Sequence, residues 1–328
     1  MNAQVLIAFI QQSIRLSSTL LLGSTGEIIT EKSGNLNLGT PGIMAGGAIS
    51  GIVGAYFYTK SGLHFNPLIG VLITLLSCII GSLIISLIYS FLTITLKTNQ
   101  NVTGLALTTF GVGLSNFLGS LINNQMGGNG IAAFPELGDA YRATIPYTEK
   151  LGVFGEIFFS YGFMTYLAII IAVIVGIIIS KTRVGLNLRS VGENPATADA
   201  AGINVVKYKY FATCIGGVIS GLGGLCYVMD FAKANWQNDI LGQFGWLSVA
   251  LVIFAIWKPV LAAFGSVAFG ALYVVGTFLP DITTKQQKLL EILPYVVTII
   301  VLVITSMRKK REHQPPESLG LSYFREER

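Results

Sequence analysis

A chain of 328 residues is long enough for two soluble domains, but 52% hydrophobic residues, 11% charged residues and a mean hydropathy of +0.67 suit lipid better than water. An ordinary globular protein carries about 25% charged residues, so a soluble enzyme, a nucleic-acid binder and a disordered tail are excluded as readings of the whole chain. The net charge of +5 would invite nucleic acid in a soluble domain. Here the basic residues flank apolar runs, which makes them reporters of orientation in a membrane.

A bilayer core about 30 Å thick needs about 20 apolar residues per helix. The chain offers about nine such runs, near 3–25, 40–59, 67–96, 102–121, 162–180, 207–229, 245–257, 260–279 and 290–307, which predicts an all-α polytopic membrane protein. The first run lacks the charged start and small-residue cleavage site of a signal peptide and is read as a membrane helix. The third, at 30 residues, is long for one crossing and is expected to tilt or to extend into water, whereas the seventh is short enough for a partial span.

With nine spans and the C-terminal tail in the cytoplasm, the inner side collects 14 of the 21 lysines and arginines: Lys32, Lys97, Lys181, Arg183, Arg189, Lys207, Lys209, Lys258, Arg308, Lys309, Lys310, Arg311, Arg325 and Arg328. The outer side keeps Lys60, Arg142, Lys150, Lys233, Lys285 and Lys288, and Arg15 falls within the first span. This split places the N-terminus outside. The membrane part is then 1–310 and the tail, expected to be disordered, is 311–328. The outer segment 122–161 is rich in Gly, Pro and acidic residues; it suits a docking or lid loop, or a solvated linker with a short interfacial helix.

Small-xxx-small spacing at Gly42/Gly46, Gly47/Gly51 and Gly217/Gly221 predicts helix faces bare enough for close backbone approach, either as tight packing or as sliding surfaces beside a path. The three cysteines sit in or beside apolar stretches without a CxxC, and only His64 and His313 exist, so neither a metal centre nor a His-based triad is expected. The sequence contains no GxxxxGK[ST], no GxSxG and no HExxH. Within the runs the ionisable residues are Arg15 and, near the inner end of the first, Glu27, too few for a self-powered ion-coupled transporter. An external energy source or a passive channel remains.

The inner segment 181–209 carries the most information. Asn194-Pro195 is a strong helix start, with Asn as N-cap and Pro at the first position, and Gly202 supplies the stop, so a two-turn, alanine-faced helix is predicted over Pro195–Ala201. A helix this short needs neighbours or a partner to hold it. VGENPATADAAGINV resembles the cytoplasmic coupling loop of the permeases of ATP-binding-cassette importers, in the branch serving simple sugars, branched-chain amino acids and nucleosides. GEIITEKSGNLNLGTPGIMAGGA (Gly26–Ala48) and NVTGLALTTFGVGLSNFLG (Asn101–Gly119) are most similar to the nucleoside-type permeases that work with basic-membrane-protein-like lipoproteins. The similarity runs from about residue 15 to 307.

The resemblance implies that Glu193, Asn194, Pro195, Ala198, Ala201 and Gly202 contact an ATPase subunit, which would bind ATP and magnesium while this chain holds no cofactor. It also implies a second, homologous permease in a heterodimer, a substrate-binding lipoprotein, a bacterial plasma membrane and no nucleic acid. Glu27 and Glu31 would orient the inner turn through backbone N–H and Lys32 contacts. Thr108, Thr109, Ser115 and Asn116 would lie in or near the path, and Trp246 and Ser248 join them as polar and aromatic partners fit for an uncharged nucleoside. Bonding of these hydroxyls and the amide to their own backbone or to a neighbouring helix is the competing expectation. A simple sugar such as ribose, riboflavin, or an autonomous channel stays open.

Overall fold

The computed structural model describes residues 3–62, 64–126, 132–144, 146, 152–280, 283–308 and 314–324. Among them the chain is helical without a named strand; one isolated bridge pairs Ala133 with Asn235. Lys150, Lys309, Lys310, Arg311, Arg325 and Arg328 of the charge argument lie outside the described residues.

The long helices are α1 (Ala3–Lys32), α2 (Thr40–Lys60), α3 (Pro67–Ser90), α4 (Gln100–Gln125), α7 (Phe163–Lys181), α10 (Val205–Cys226), α12 (Pro259–Phe278) and α14 (Leu293–Arg308, led in by α13, Thr284–Leu290). Eight spans are long and apolar enough to cross a membrane, and α11 (Ile240–Phe254) is a shorter apolar helix. Two short helices, α5 (Pro135–Tyr141) and α6 (Gly152–Phe158), sit between α4 and α7; α8 (Arg183–Glu193) and α9 (Pro195–Ala200) sit between α7 and α10. The expected long third run is α3 extended by a π-helical turn, Phe91–Thr95, and a second π turn, Tyr227–Phe231, finishes α10.

Contacts set the relative placement of two helix pairs. The Phe9 and Phe278 rings meet edge to face at 5.6 Å, and Gly270 lies against Ser13 and Ser17, so α12 runs antiparallel to α1. Tyr295 donates to the Gln243 carbonyl at 3.3 Å, which sets the start of α14 beside the start of α11. Among the described residues the eight candidate spans and the shorter α11 stand where about nine runs were expected, and the end that carries α8 and α9 holds Lys32, Lys97, Lys181, Arg183, Arg189, Lys207, Lys209 and Lys258. We call it the basic end.

Helices α2 and α10 form the buried centre, with α1, α3 and α4 against them. The expected bare faces do bring backbones together. A Cβ on Gly47 would stand 2.8 Å from the Cα of Gly221, Gly42 meets Gly111 of α4, and Gly26 would run into the Gly216 carbonyl. The outward faces of α3, α4, α7 and α14 carry Leu76, Phe117, Ile174 and Ile299, exposed as lipid contact requires.

At the basic end the caps are local and sequence-encoded. Asn99 accepts from Val102 N at 3.1 Å, Thr182 from Gly185 N at 3.1 Å, and Asn204 from Lys207 N at 2.9 Å, each opening a helix. The tail departs from expectation. Residues 314–324 are docked: Ser318 is buried, its N–H and hydroxyl donate to the Gly192 carbonyl at 3.0 and 2.6 Å, and Gly320 N reaches Gly34 O at 3.4 Å. A glycine on each side leaves room for the tail to lie directly on two backbones.

Candidate functional site

The segment between α7 and α10 folds as its residues predict. Asn194 is extended at φ −146° and ψ 96°, and its side chain accepts from Thr197 N at 2.9 Å; Pro195 opens α9, and Gly202 ends it at φ +83°, where a Cβ would be strained. Gly202 N donates to Asp199 O and Ile203 N to Ala198 O, both at 3.0 Å, closing the final turn. Glu193, Asn194, Ala201 and Gly202 are exposed and Pro195 half-buried. Ala198 is a correction: at 3% exposure it packs with Val191 and Val205 and pins α9 inward, so it does not share an open face with Ala201. The reason is that Val191 at the end of α8 and Val205 at the start of α10 close over that face of the helix. The tail reaches this element as well, through Tyr323, whose hydroxyl donates to Asp199 Oδ2 at 2.9 Å.

Beneath α8 lies a buried polar belt built on the α1–α2 turn. Glu27 and Glu31, one turn apart, are 1% and 3% exposed. Asn37 Nδ2 donates to Glu27 Oε2 at 3.3 Å, the Thr40 hydroxyl donates to the same oxygen, and the Trp257 indole N–H donates to Glu31 Oε2. Leu36 N donates to Gln100 Oε1 at 2.7 Å, while Tyr89 donates to Leu36 O. The two glutamates thus orient the turn as expected, but through side-chain donors from the turn, α2 and the end of α11. Carboxylates buried this deeply need such donors, because a lone backbone N–H would leave most of their lone pairs unmet.

A family described as branched-chain amino acid transport system / permease component matches residues 9–302. The chain belongs to this permease family. It is 35% identical over 292 residues to the nucleoside ABC transporter permease protein NupC of Lactococcus lactis subsp. cremoris, covering 88% of this chain and 89% of that one. The guanosine ABC transporter permease protein NupQ of Bacillus subtilis is 32% identical over 306 residues, 91% and 92% of the two chains. The permease protein TsgC13 of Haloferax volcanii is 30% identical over 335 residues, 96% of each, and its name carries a provisional assignment to glucose. The permease is therefore a multi-pass membrane protein.

The six expected path residues of the permease do not converge. Thr108 is buried and donates to Leu38 O at 2.7 Å, Ser115 to Val112 O at 2.8 Å, and Ser248, fully buried beside Gly23, to Phe244 O at 2.9 Å. Thr109 is exposed on another face and donates to Leu105 O at 3.1 Å. Asn116 Nδ2 donates to Asp239 Oδ1 at 2.6 Å and its Oδ1 accepts from Asp239 N at 3.0 Å, tying α4 to the start of α11; Trp246 is half-buried. The competing expectation describes these contacts: Thr109, Ser115 and Ser248 bond their own helices, and Thr108 and Asn116 bond neighbouring segments.

Membrane helices hold more charge than the runs suggested. Arg15 pairs with Asp230 of the second π turn at 2.9 Å, and Arg142, just past α5, lies 3.8 Å from the same oxygen and donates to Phe231 O at 2.9 Å. Lys209 is 4% exposed in α10. The sequence places Arg15 within its run and Lys209 and Arg142 beside theirs; Asp230 was missed because it closes a run that still averages apolar. The polar string SGNLNLG between two such runs was the available signal for the belt.

Proposed function

We propose that the permease is the membrane subunit of an ATP-binding-cassette importer for nucleosides, with 1–310 as membrane part and 311–328 as tail. The observation that carries the coupling assignment is α9, a capped two-turn helix pinned by Ala198 and presenting Asn194, Ala201 and Gly202 outward. A partner ATPase would bind ATP and magnesium and push on this surface, and alternating access would follow in the glycine-lined contacts of α1, α2 and α10. The basic end then faces the cytoplasm of a bacterial cell, with the N-terminus outside. A substrate-binding lipoprotein delivers solute at the α5–α6 end, and a homologous permease completes a heterodimer.

The names of NupC and NupQ support a nucleoside. Half-buried Trp246 is the proposed solute contact, while Asn116, bonded to Asp239, holds α4 against the start of α11. The chain's own role is to bind, pass and release solute; no bond is broken in it. Sugar is the second reading, favoured by the similarity to TsgC13. The test is uptake of labelled adenosine and guanosine in cells with and without this subunit, in competition with excess ribose and riboflavin. Loss of nucleoside uptake on deletion is expected. Intact nucleoside uptake with lost ribose or riboflavin uptake overturns the solute assignment.

A further inference from the structure

A cavity of about 910 Å³ opens at the basic end between the last turns of α3, the first turns of α10, the segment after α9 and the docked tail. Its wall carries three cations. Lys209 is 4% exposed and its ammonium has no hydrogen bond or ion pair among the described residues; Lys207 flanks it, and Lys97 follows the π turn of α3. Beside them is Asn35, fully buried, whose Nδ2 donates to Thr213 Oγ1 at 3.2 Å while its Oδ1 has no partner. The one acid on the wall, Asp199, is engaged by Tyr323.

A buried ammonium without a counter-charge is costly, and so is a buried carbonyl oxygen without a donor. Both defects border one cavity, and one ligand cures both if it carries an anion for Lys209 and a hydroxyl for Asn35. The other walls say where that ligand comes from. Leu87 and Phe211 are 44% and 55% exposed on the flanks of α3 and α10, apolar surface continuous with the lipid-facing sides of both helices. Lys209 lies four residues into α10, about 6 Å along its axis, which is headgroup depth for a helix that starts at the interface. Basic pockets between membrane helices are suited to anionic headgroups.

We propose that this cavity binds an anionic, hydroxyl-bearing phospholipid of the leaflet at the basic end, its phosphate on Lys209 and a headgroup hydroxyl on Asn35 Oδ1. The proposal rests on the membrane fold and not on the transported solute. Bound there, the lipid bridges α3, α10 and the coupling segment.

The test uses the full chain purified in a neutral detergent, titrated with short-chain phosphatidylglycerol and read by native mass spectrometry and by thermal melting. Saturable binding and a raised melting temperature are expected, with phosphatidylcholine inert. Lys209→Met should weaken phosphatidylglycerol binding ten-fold or more, and Lys209→Arg should keep it. Lys97→Gln, on a separate element, should weaken binding by a smaller factor, which keeps the test open if Lys209→Met does not fold. Equal binding by wild type and both neutral variants overturns the site. Competition by glycerol 3-phosphate or inorganic phosphate at the lipid's own concentration overturns the lipid source. Crosslinking of Lys209 to an acidic residue of a partner protein in the assembled complex, with no lipid retained, shows that a protein fills the cavity and overturns the proposal.

Discussion

Asp230→Asn is the sharpest probe of how the end opposite α8 and α9 is held. The side chain is nearly isosteric, so the change removes charge and little else. Asp230 is fully buried, 2.9 Å from Arg15, and Arg142 lies 3.8 Å away, so the substitution strands two guanidinium groups. Removing one partner of a buried pair costs about 3–5 kcal/mol. The arginine side chains are 13% and 18% exposed and keep the carbonyls of Ser160 and Phe231, at 3.1 and 2.9 Å, which argues for the lower bound. About 3 kcal/mol corresponds to roughly two decades in the unfolding equilibrium. The measurement is denaturant unfolding of the purified chain in mild detergent, with the half-life at a fixed temperature as a kinetic check. The double variant Arg15→Gln/Asp230→Asn removes both charges of the close pair and should recover most of the loss. If the single variant matches wild type, or the double is no more stable than the single, the network does not hold α1 to α10.

Three further outcomes are expected. Asn194→Ala removes the cap of α9, about 1 kcal/mol of local helix stability, and should lower solute uptake and ATPase stimulation in the assembled complex without moving the melting temperature of the bundle. Ala201→Arg should abolish coupling at normal expression because Ala201 is exposed, whereas Ala198→Arg should reduce the yield of folded protein because Ala198 is packed between Val191 and Val205; equal behaviour of the two would reverse the inward and outward assignment. Trp257→Phe leaves a Glu31 oxygen without its indole donor, a loss of about 1–3 kcal/mol that should appear as a lower melting temperature.

The bundle was legible because hydrophobic runs of the right length and cap residues act locally. Asn194-Pro195…Gly202 is a complete set of start and stop signals within nine positions, and the structure follows it. What escaped was set by tertiary contact. The turn from α11 into α12 carries Ile256 and Trp257 at φ 53° and 52° with no glycine to announce it. Left-handed backbone at a β-branched residue is unfavourable and is held from outside, here with the Trp257 indole on Glu31. The docking of 314–324 was equally hidden. A short polar tail with two prolines has the composition of disorder, and it is placed by Gly34 and Gly192, residues far away in sequence.

These same glycines bear on how a push at α9 could reach the bundle. Gly192, at the end of α8, lies so close to the α1–α2 turn that a Cβ on it would run into the Lys32 carbonyl and stand 3.1 Å from Gly34 N. A contact with no slack transmits displacement instead of absorbing it. Ala198, Val191 and Val205 join α9 to α8 and to the start of α10, so any movement of α9 is delivered to both helices. From Lys32 a load would enter α1 beside Glu31 and little more than one turn from Glu27; the donors to these two sit on the α1–α2 turn, on α2 and on the turn after α11. The belt therefore ties α1, α2 and the α11–α12 turn together. Between these elements and α10 lies the glycine contact, Gly26 on Gly216 and Gly47 on Gly221, crossed by the Ser220 hydroxyl, which donates to Gly23 O at 3.2 Å. Sliding along this contact would have to break the Ser220–Gly23 bond, so α1 and α10 are held there by backbone approach and one hydroxyl together.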